Sequence, residues 1–364
     1  MQLNWKIGVE IELIAPKGRS RRDLAEAIAK QKGGSVRPFF HPQVEPSKVS
    51  GHSLFNNLTQ AFEVVDSNGV VIAYCVDDLT LQDDCDKSHP PQMDWYRIVS
   101  DDGRLLQLIL QQSNPSDSIS EVLTPIADLF GTEVQHSQGK MVRVIDRTGR
   151  SIAIAAPLPG ERERPCELIT APIKKDHLDY LESLLSIART LGFTAPIEGA
   201  THLHFDATPL QSTSTLANLM RLLWAFNDDL NRLVETNPRC RRLGKWPQEL
   251  YDWVQTPEFS ESTWEQGMQS LAQFEVTKYC NFNLKNMIEF TADKYTFEVR
   301  IFPVWREGQR IIEAAGLFEG ILYWAINSPK NAILPCNMKT LLNELPISTE
   351  LCNLWQQRRY SLKN

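Results

Sequence analysis

The chain has 364 residues, enough for one large or two ordinary domains with a sizeable core. A hydrophobic share of 42% and a charged share of 23% are those of an ordinary globular protein. The net charge of -7, with no long basic run, argues against non-specific binding to nucleic acid.

Met1 to Lys6 contain no apolar run, so no signal peptide is expected. In Gly8-Val9-Glu10-Ile11-Glu12-Leu13, acidic and apolar residues alternate. Residues two apart on a strand share a face, so Glu10 and Glu12 point one way while Val9, Ile11 and Leu13 enter a core. Ser20 is placed to cap a helix reaching Lys30 and stopped by Gly33-Gly34. The stretch 37–60, rich in proline and scattered histidine, reads as an irregular insertion or lid, and so does 82–92. Turn sequences at Ser67-Asn68-Gly69, Asp101-Asp102-Gly103 and Arg147-Thr148-Gly149 predict three strand pairs: 62–65 with 70–74, 95–99 with 105–110, and 141–145 with 151–155. Residues 111–140 read as a further insertion. Glu167 is a lone carboxylate on an apolar strand that ends at Pro172.

Helical spacing of apolar residues follows at 176–191, 213–235, 262–274, 307–326 and 349–358. Glu313 and Glu319 interrupt the fourth of these, which argues against a membrane span. Two more polar-faced strands lie among the helices. Thr201-His202-Leu203-His204-Phe205-Asp206 sets His202, His204 and Asp206 on one face, and Phe297-Glu298-Val299-Arg300-Ile301-Phe302 does the same for Glu298 and Arg300. Lys278 and Asn283 precede the second of them.

Hairpins first and helices later indicate an α+β fold with a largely antiparallel sheet. The three polar-faced strands can share one site only if the whole length folds around that sheet. The expectation is one catalytic domain over residues 1–330, with a helical tail at 331–364 packed on it. Seven cysteines without a CxxC pair fit reduced thiols in a cytoplasmic protein.

Each polar strand has a plain reading and a chemical one. Two carboxylates on one strand face are costly to bury without compensating charge, and in water they are simply an acidic surface. His202, His204 and Asp206 offer nitrogen and oxygen ligands about 7 Å apart along one face, or else line a structural strand. Zinc calls for further His or Cys ligands. His41, His52, His89, His136 and His177 lack motif spacing, so an oxygen-rich site for Mg²⁺ or Mn²⁺ is favoured. Glu298 beside Arg300 is either an ordinary salt bridge or a metal ligand next to a phosphate-neutralising guanidinium. No GxxxxGK[ST] or GxGxxG sequence is present, which leaves P-loop and dinucleotide-binding readings without support.

In order and spacing, Gly8-Val9-Glu10-Ile11-Glu12, Glu167-Leu168-Ile169-Thr170-Ala171-Pro172, His202-Leu203-His204-Phe205-Asp206, Lys278 with Asn283-Leu284, and Phe297-Glu298-Val299-Arg300-Ile301-Phe302 resemble the amidoligase family. That family is a branch of the carboxylate–amine ligases related to glutamine synthetase and glutamate–cysteine ligase. The resemblance implies a glutamine-synthetase-like fold, an antiparallel funnel with helices packed on its outer face. It implies a ligase dependent on ATP and Mg²⁺ (or Mn²⁺), joining a small-molecule or peptide carboxylate to an amine through an acyl phosphate. No nucleic-acid or membrane partner is expected. By resemblance, Glu10, Glu12, His204 and Glu298 are metal ligands, and His202, His204, Asn283 and Arg300 hold the nucleotide. Arg300, Glu167 and Lys278 are then the catalytic residues, while Asp206 either joins them or fixes the strand. A phosphotransferase on the same fold, or a silent binding protein that keeps it, are the alternatives.

Overall fold

A computed structural model describes residues 2–46, 54–92, 94–240, 242–274, 276–289 and 294–361. They form two compact units: a hairpin unit of Glu12–Ala171 with Ile187–Ile197, and a helical unit of Met1–Ile11, Pro172–Ser186 and Glu198–Asn364. Every strand pairing described within either unit is antiparallel, as expected for an α+β chain.

The chain enters through β1 (Ile7–Ile14) and α1 (Arg21–Gln31). Ser20 caps α1 as expected, its N–H and hydroxyl both donating to the Asp23 carboxylate at 2.7 Å. Gly34 then passes so close to the backbone that a Cβ there would lie 1.8 Å from the Val65 carbonyl oxygen. There follow β2 (Ser35–Pro46), β3 (Leu54–Val65), β4 (Val71–Val76), β5 (Tyr96–Val99), α2 (Gly103–Gln112), α3 (Thr124–Phe130), β6 (Gln135–His136), β7 (Val142–Ile145), β8 (Ser151–Pro157) and β9 (Pro165–Thr170). In the hairpin unit the sheet order is β9-β4-β3-β5-β8-β7-β6, with β2 paired to β3.

The turns at Gly69 and Gly149, both at positive φ, join β3 to β4 and β7 to β8 as the sequence predicts. Two expectations are overturned. Much of the stretch 37–60 is two strands of a long hairpin, in register from Ser35 opposite Val65 to Pro46 opposite Leu54. Residues 47–53, with His52, lie outside the described residues. The prolines disguised β2. It is an edge strand on β3, and Pro38 and Pro42, four apart, share the parity whose missing N–H would point away from the partner. Second, 105–110 is not a strand but part of α2, and β5 pairs with β8 instead. Asp102 caps that helix by accepting from the Arg104 N–H at 2.9 Å, and Leu105, Leu106 and Ile109 bury at helical spacing beside Tyr96 and Ile98. The segment 111–140 holds α3 and β6.

The hairpin unit also buries four successive charged residues, Glu161 to Arg164. Arg162 donates to Asp77 at 3.1 Å and to the Leu81 carbonyl at 2.9 Å, while Arg164 pairs with Glu161 and donates to the Ala15 carbonyl at 2.8 Å. Arg21, fully buried, donates to the carbonyls of Gln60 (3.1 Å) and Arg162 (2.9 Å), with its guanidinium 4.3 Å from the Trp95 ring centre. Arg21→Met should lower stability by about 3–5 kcal/mol, because carbonyls and Asp77 lose a buried partner. Denaturant titration measures this. A loss below about 1 kcal/mol would mean that Arg162 alone satisfies the network.

The helical unit contains most of α4 (His177–Thr190), then β10 (Ala200–Asp206), α5 (Thr213–Ala225), α6 (Asn227–Leu233), α7 (Gln248–Val254), α8 (Pro257–Glu261), α9 (Trp264–Leu271), β11 (Phe282–Asn283), α10 (Lys285–Ile288), β12 (Thr296–Pro303), α11 (Gly308–Asn327), α12 (Met338–Glu344) and α13 (Thr349–Ser361). The helix expected over 213–235 is broken at Phe226. Asn227 at the break accepts from the Asn281 side chain at 2.7 Å, and the Asn281 carbonyl accepts the Arg300 N–H at 2.9 Å. The helix expected over 262–274 shortens to α9, capped by Thr263 with Gln266.

The sheet order here is β11-β12-β10-β1. Helix α11 is buried almost all round, and its two acids are tethers: Glu319 accepts from the N–H groups of Asn4 and Trp5, both at 2.7 Å, and Glu313 pairs with Arg358 of α13. Asp206 does not join the histidines. It binds Lys6 at 2.5 Å and the Thr208 N–H at 3.0 Å, holding the approach to β1 against the end of β10. Among the described residues no helix is long and apolar enough to cross a membrane.

Candidate metal and phosphate site

Strand register in the helical unit places the polar side chains together. Glu10 of β1 lies opposite His202 of β10, His204 lies opposite Glu298 of β12, and Asn283 of β11 lies opposite Glu298 from the other side. Thr201 opposes Phe302 while Leu203 opposes Val299, so His202 alone faces two residues, Arg300 and Ile301. Such a bulge re-aims side chains where the ladder is interrupted.

The contacts are dense. His204 Nε2 is 3.1 Å from Glu10 Oε1 and 3.8 Å from Glu298 Oε1, and His202 Nδ1 is 3.3 Å from Glu10 Oε2. Arg300 Nη1 donates to Glu298 Oε1 and lies 3.5 Å from His202 Nδ1. The Asn283 amide donates to Glu298 Oε2 at 2.6 Å. None of these six side chains belongs to a residue more than 8% exposed.

Buried charges of this kind persist only when they compensate one another. Burial pushes the Glu10 carboxyl up, but His204, the Lys294 ammonium and the hydrogen bond with His202 together hold it well below the usual carboxylate range. Burial also raises Glu298, and Arg300 and His204 outweigh it, despite the opposing charge of Glu10, to bring it to about 2. Burial and the neighbouring Arg300 push His202 down to about 4 against the pull of both carboxylates. Burial works against the Arg300 charge, and Glu298 more than restores it. At neutral pH the cluster therefore holds two carboxylates, a guanidinium and a neutral His202.

Glu10, His204 and Glu298 each aim a ligand atom inward, all within 4.8 Å of one another and all buried. His204 Nδ1 meets the Thr296 hydroxyl at 3.1 Å, which orients the ring with Nε2 toward the two acids. Two carboxylate oxygens and one imidazole nitrogen fit a hard divalent cation such as Mg²⁺ or Mn²⁺. Arg300 supplies a guanidinium at the edge of that set, suited to a phosphoryl group.

Of the remaining expected residues, Glu12 continues β1 and is fully buried within the hairpin unit. Glu167 is half-buried on β9, opposite Val76 of β4. Lys278 is exposed, with its ammonium 5.6 Å from the Tyr279 ring centre. The lysine at the cluster is Lys294, 3.3 Å from Glu10 Oε1, which the sequence reading missed along with Thr296. Thr296 stands two residues before Glu298, so following the alternation one step further back finds it.

A family model described as "Putative amidoligase enzyme" matches residues 3–321. A search of curated proteins found no match. The matched span includes β1, β10, β11 and β12, and with them every side chain of the cluster. The chain belongs to this amidoligase family.

Proposed function

We propose that the protein is an ATP- and Mg²⁺-dependent carboxylate–amine ligase on a glutamine-synthetase-like catalytic fold, with Mn²⁺ as a substitute cation. The observation that carries this reading is the buried set of Glu10, His204 and Glu298 with Arg300 against it. A carboxylate does not condense with an amine at neutral pH, because its leaving group would be oxide. In the proposed reaction a carboxylate oxygen attacks the γ-phosphorus of ATP and ADP leaves. The amine nitrogen then attacks the acyl carbon, inorganic phosphate departs, and the amine proton passes to a base.

Glu10, His204 and Glu298 would hold the cation, while Glu12 and Glu167 keep their metal-ligand and catalytic assignments on the resemblance alone. Bound Mg²⁺ supplies charge neutralisation at phosphate oxygens. Arg300 binds and orients the transferred phosphoryl group, and its buried Nε has no hydrogen-bond partner among the described residues. His202, kept neutral, adds a dipole without a charge, and Asn283 fixes Glu298 in place. Lys294, with its side chain 55% exposed at Glu10, meets the phosphate from the solvent side, while Lys278 keeps its catalytic assignment on the resemblance alone. Seven cysteines, with no disulfide among the described residues, accord with a cytoplasmic setting.

Phosphate release from ATP across pooled carboxylates and amines tests the reading. It should require both substrates, vanish when a chelator removes divalent cations, and return with Mg²⁺. ADP formation that needs only one organic substrate would indicate a phosphotransferase, and no turnover with any pool would indicate a silent binding protein.

A further inference from the structure

The hairpin unit carries a cavity of about 600 Å³ that the proposed chemistry does not use, beside the first half of α1 and along β2 and β3. Its size falls within the range of small-molecule sites, about 300–1,000 Å³. Its polar lining is unbalanced: among the described residues it carries the carboxylates of Glu26, Asp94 and Asp117 against one cation, Arg22. That guanidinium is already engaged, lying 5.3 Å from the Phe62 ring centre and 5.1 Å from that of Trp95. The net charge of the wall is therefore negative.

Two further side chains sharpen the chemistry. Tyr96, buried, donates its hydroxyl to the Asp117 carbonyl at 3.0 Å, so it presents an aromatic wall rather than a free donor. Gln60, only 5% exposed, donates its Nε2 to the Pro115 carbonyl at 3.0 Å, while its Oε1 accepts no hydrogen bond among the described residues. An acidic surround, an acceptor still to be matched and the rings of Phe62 and Tyr96 suit one class of ligand. We propose that this cavity binds a small organic amine, its ammonium held by the carboxylates and its apolar stem lying against Phe62 and Tyr96. The inference does not rest on the ligase reading, because the cavity and its charge stand whatever the cluster of Glu10 and Glu298 does.

Isothermal titration of the full chain with phenethylamine, its neutral analogue 2-phenylethanol and the acid 3-phenylpropanoate tests it. Saturable binding of the amine is expected, about ten-fold or more tighter than the alcohol and weakened by salt. Glu26 and Asp94 are exposed, so the double variant Glu26→Gln, Asp94→Asn should keep its melting temperature. It should lose about ten-fold in affinity for the amine. Glu298→Gln should leave amine binding unchanged, which separates this cavity from the buried acidic cluster. Absence of saturable binding, preference for 3-phenylpropanoate, or an affinity lost in Glu298→Gln and kept in the double variant would overturn the proposal.

Discussion

Glu298→Gln should reduce Mg²⁺-dependent ATP turnover by about 10³-fold or more, since it removes one of the three buried donors proposed to hold the cation and the partner of Arg300 at once. Stability should fall as well. Glu298 is held ionised by the buried guanidinium, and a neutral amide leaves Arg300 without its closest counter-charge. Breaking such a pair from one side costs about 3 kcal/mol. Turnover must therefore be measured at a temperature where circular dichroism reports a folded variant. Activity within about ten-fold of the parent would mean that Glu298 is a structural ion-pair partner only.

Arg300→Ala should show two losses that metal tells apart. In the metal-free protein Glu10 and Glu298 lose their buried cation, and stability should drop by about 3–5 kcal/mol. Saturating Mg²⁺ should recover a large part of that loss, because the same two carboxylates then surround a divalent charge. Binding of ATP should weaken about 10²-fold more than binding of adenosine, which lacks the phosphates. Equal losses for the two ligands would refute a phosphate role for Arg300. A melting temperature unmoved by Mg²⁺ in both parent and variant would refute the cation site.

The ribbons that build the site were readable because a strand with one polar face has a period of two. Glu10, His202, His204, Glu298 and Arg300 all stand on the strands that this alternation predicts. What alternation does not encode is register. The opposition of Glu10 with His202 and of His204 with Glu298, and the bulge that turns His202 toward Arg300, arise from pairing between segments nearly 200 residues apart along the chain or about 100. The run Leu105-Leu106-Gln107-Leu108-Ile109-Leu110 was ambiguous for a different reason: a short apolar stretch suits a strand or a buried helix equally, and here the Asp102 cap decided it. Prolines concealed β2 because a Pro is a strand breaker everywhere except at an edge. Glu161 to Arg164 look like a solvated charge run. They are buried because backbone carbonyls of Ala15 and Leu81 and the Asp77 carboxylate lie within reach, and those partners come from distant parts of the sequence. Asp206 shares the alternation of the two histidines but stands at the strand end, where Lys6 claims it.

Anomalous scattering from crystals grown with Mn²⁺ and a non-hydrolysable ATP analogue would test the convergence of these strands on a cation most directly. The account predicts a manganese peak about 2.0–2.3 Å from donor atoms of Glu10, His204 and Glu298, with the γ-phosphate facing Arg300. Manganese bound elsewhere, or a nucleotide seated away from Arg300 while these three residues hold no ion, would contradict it.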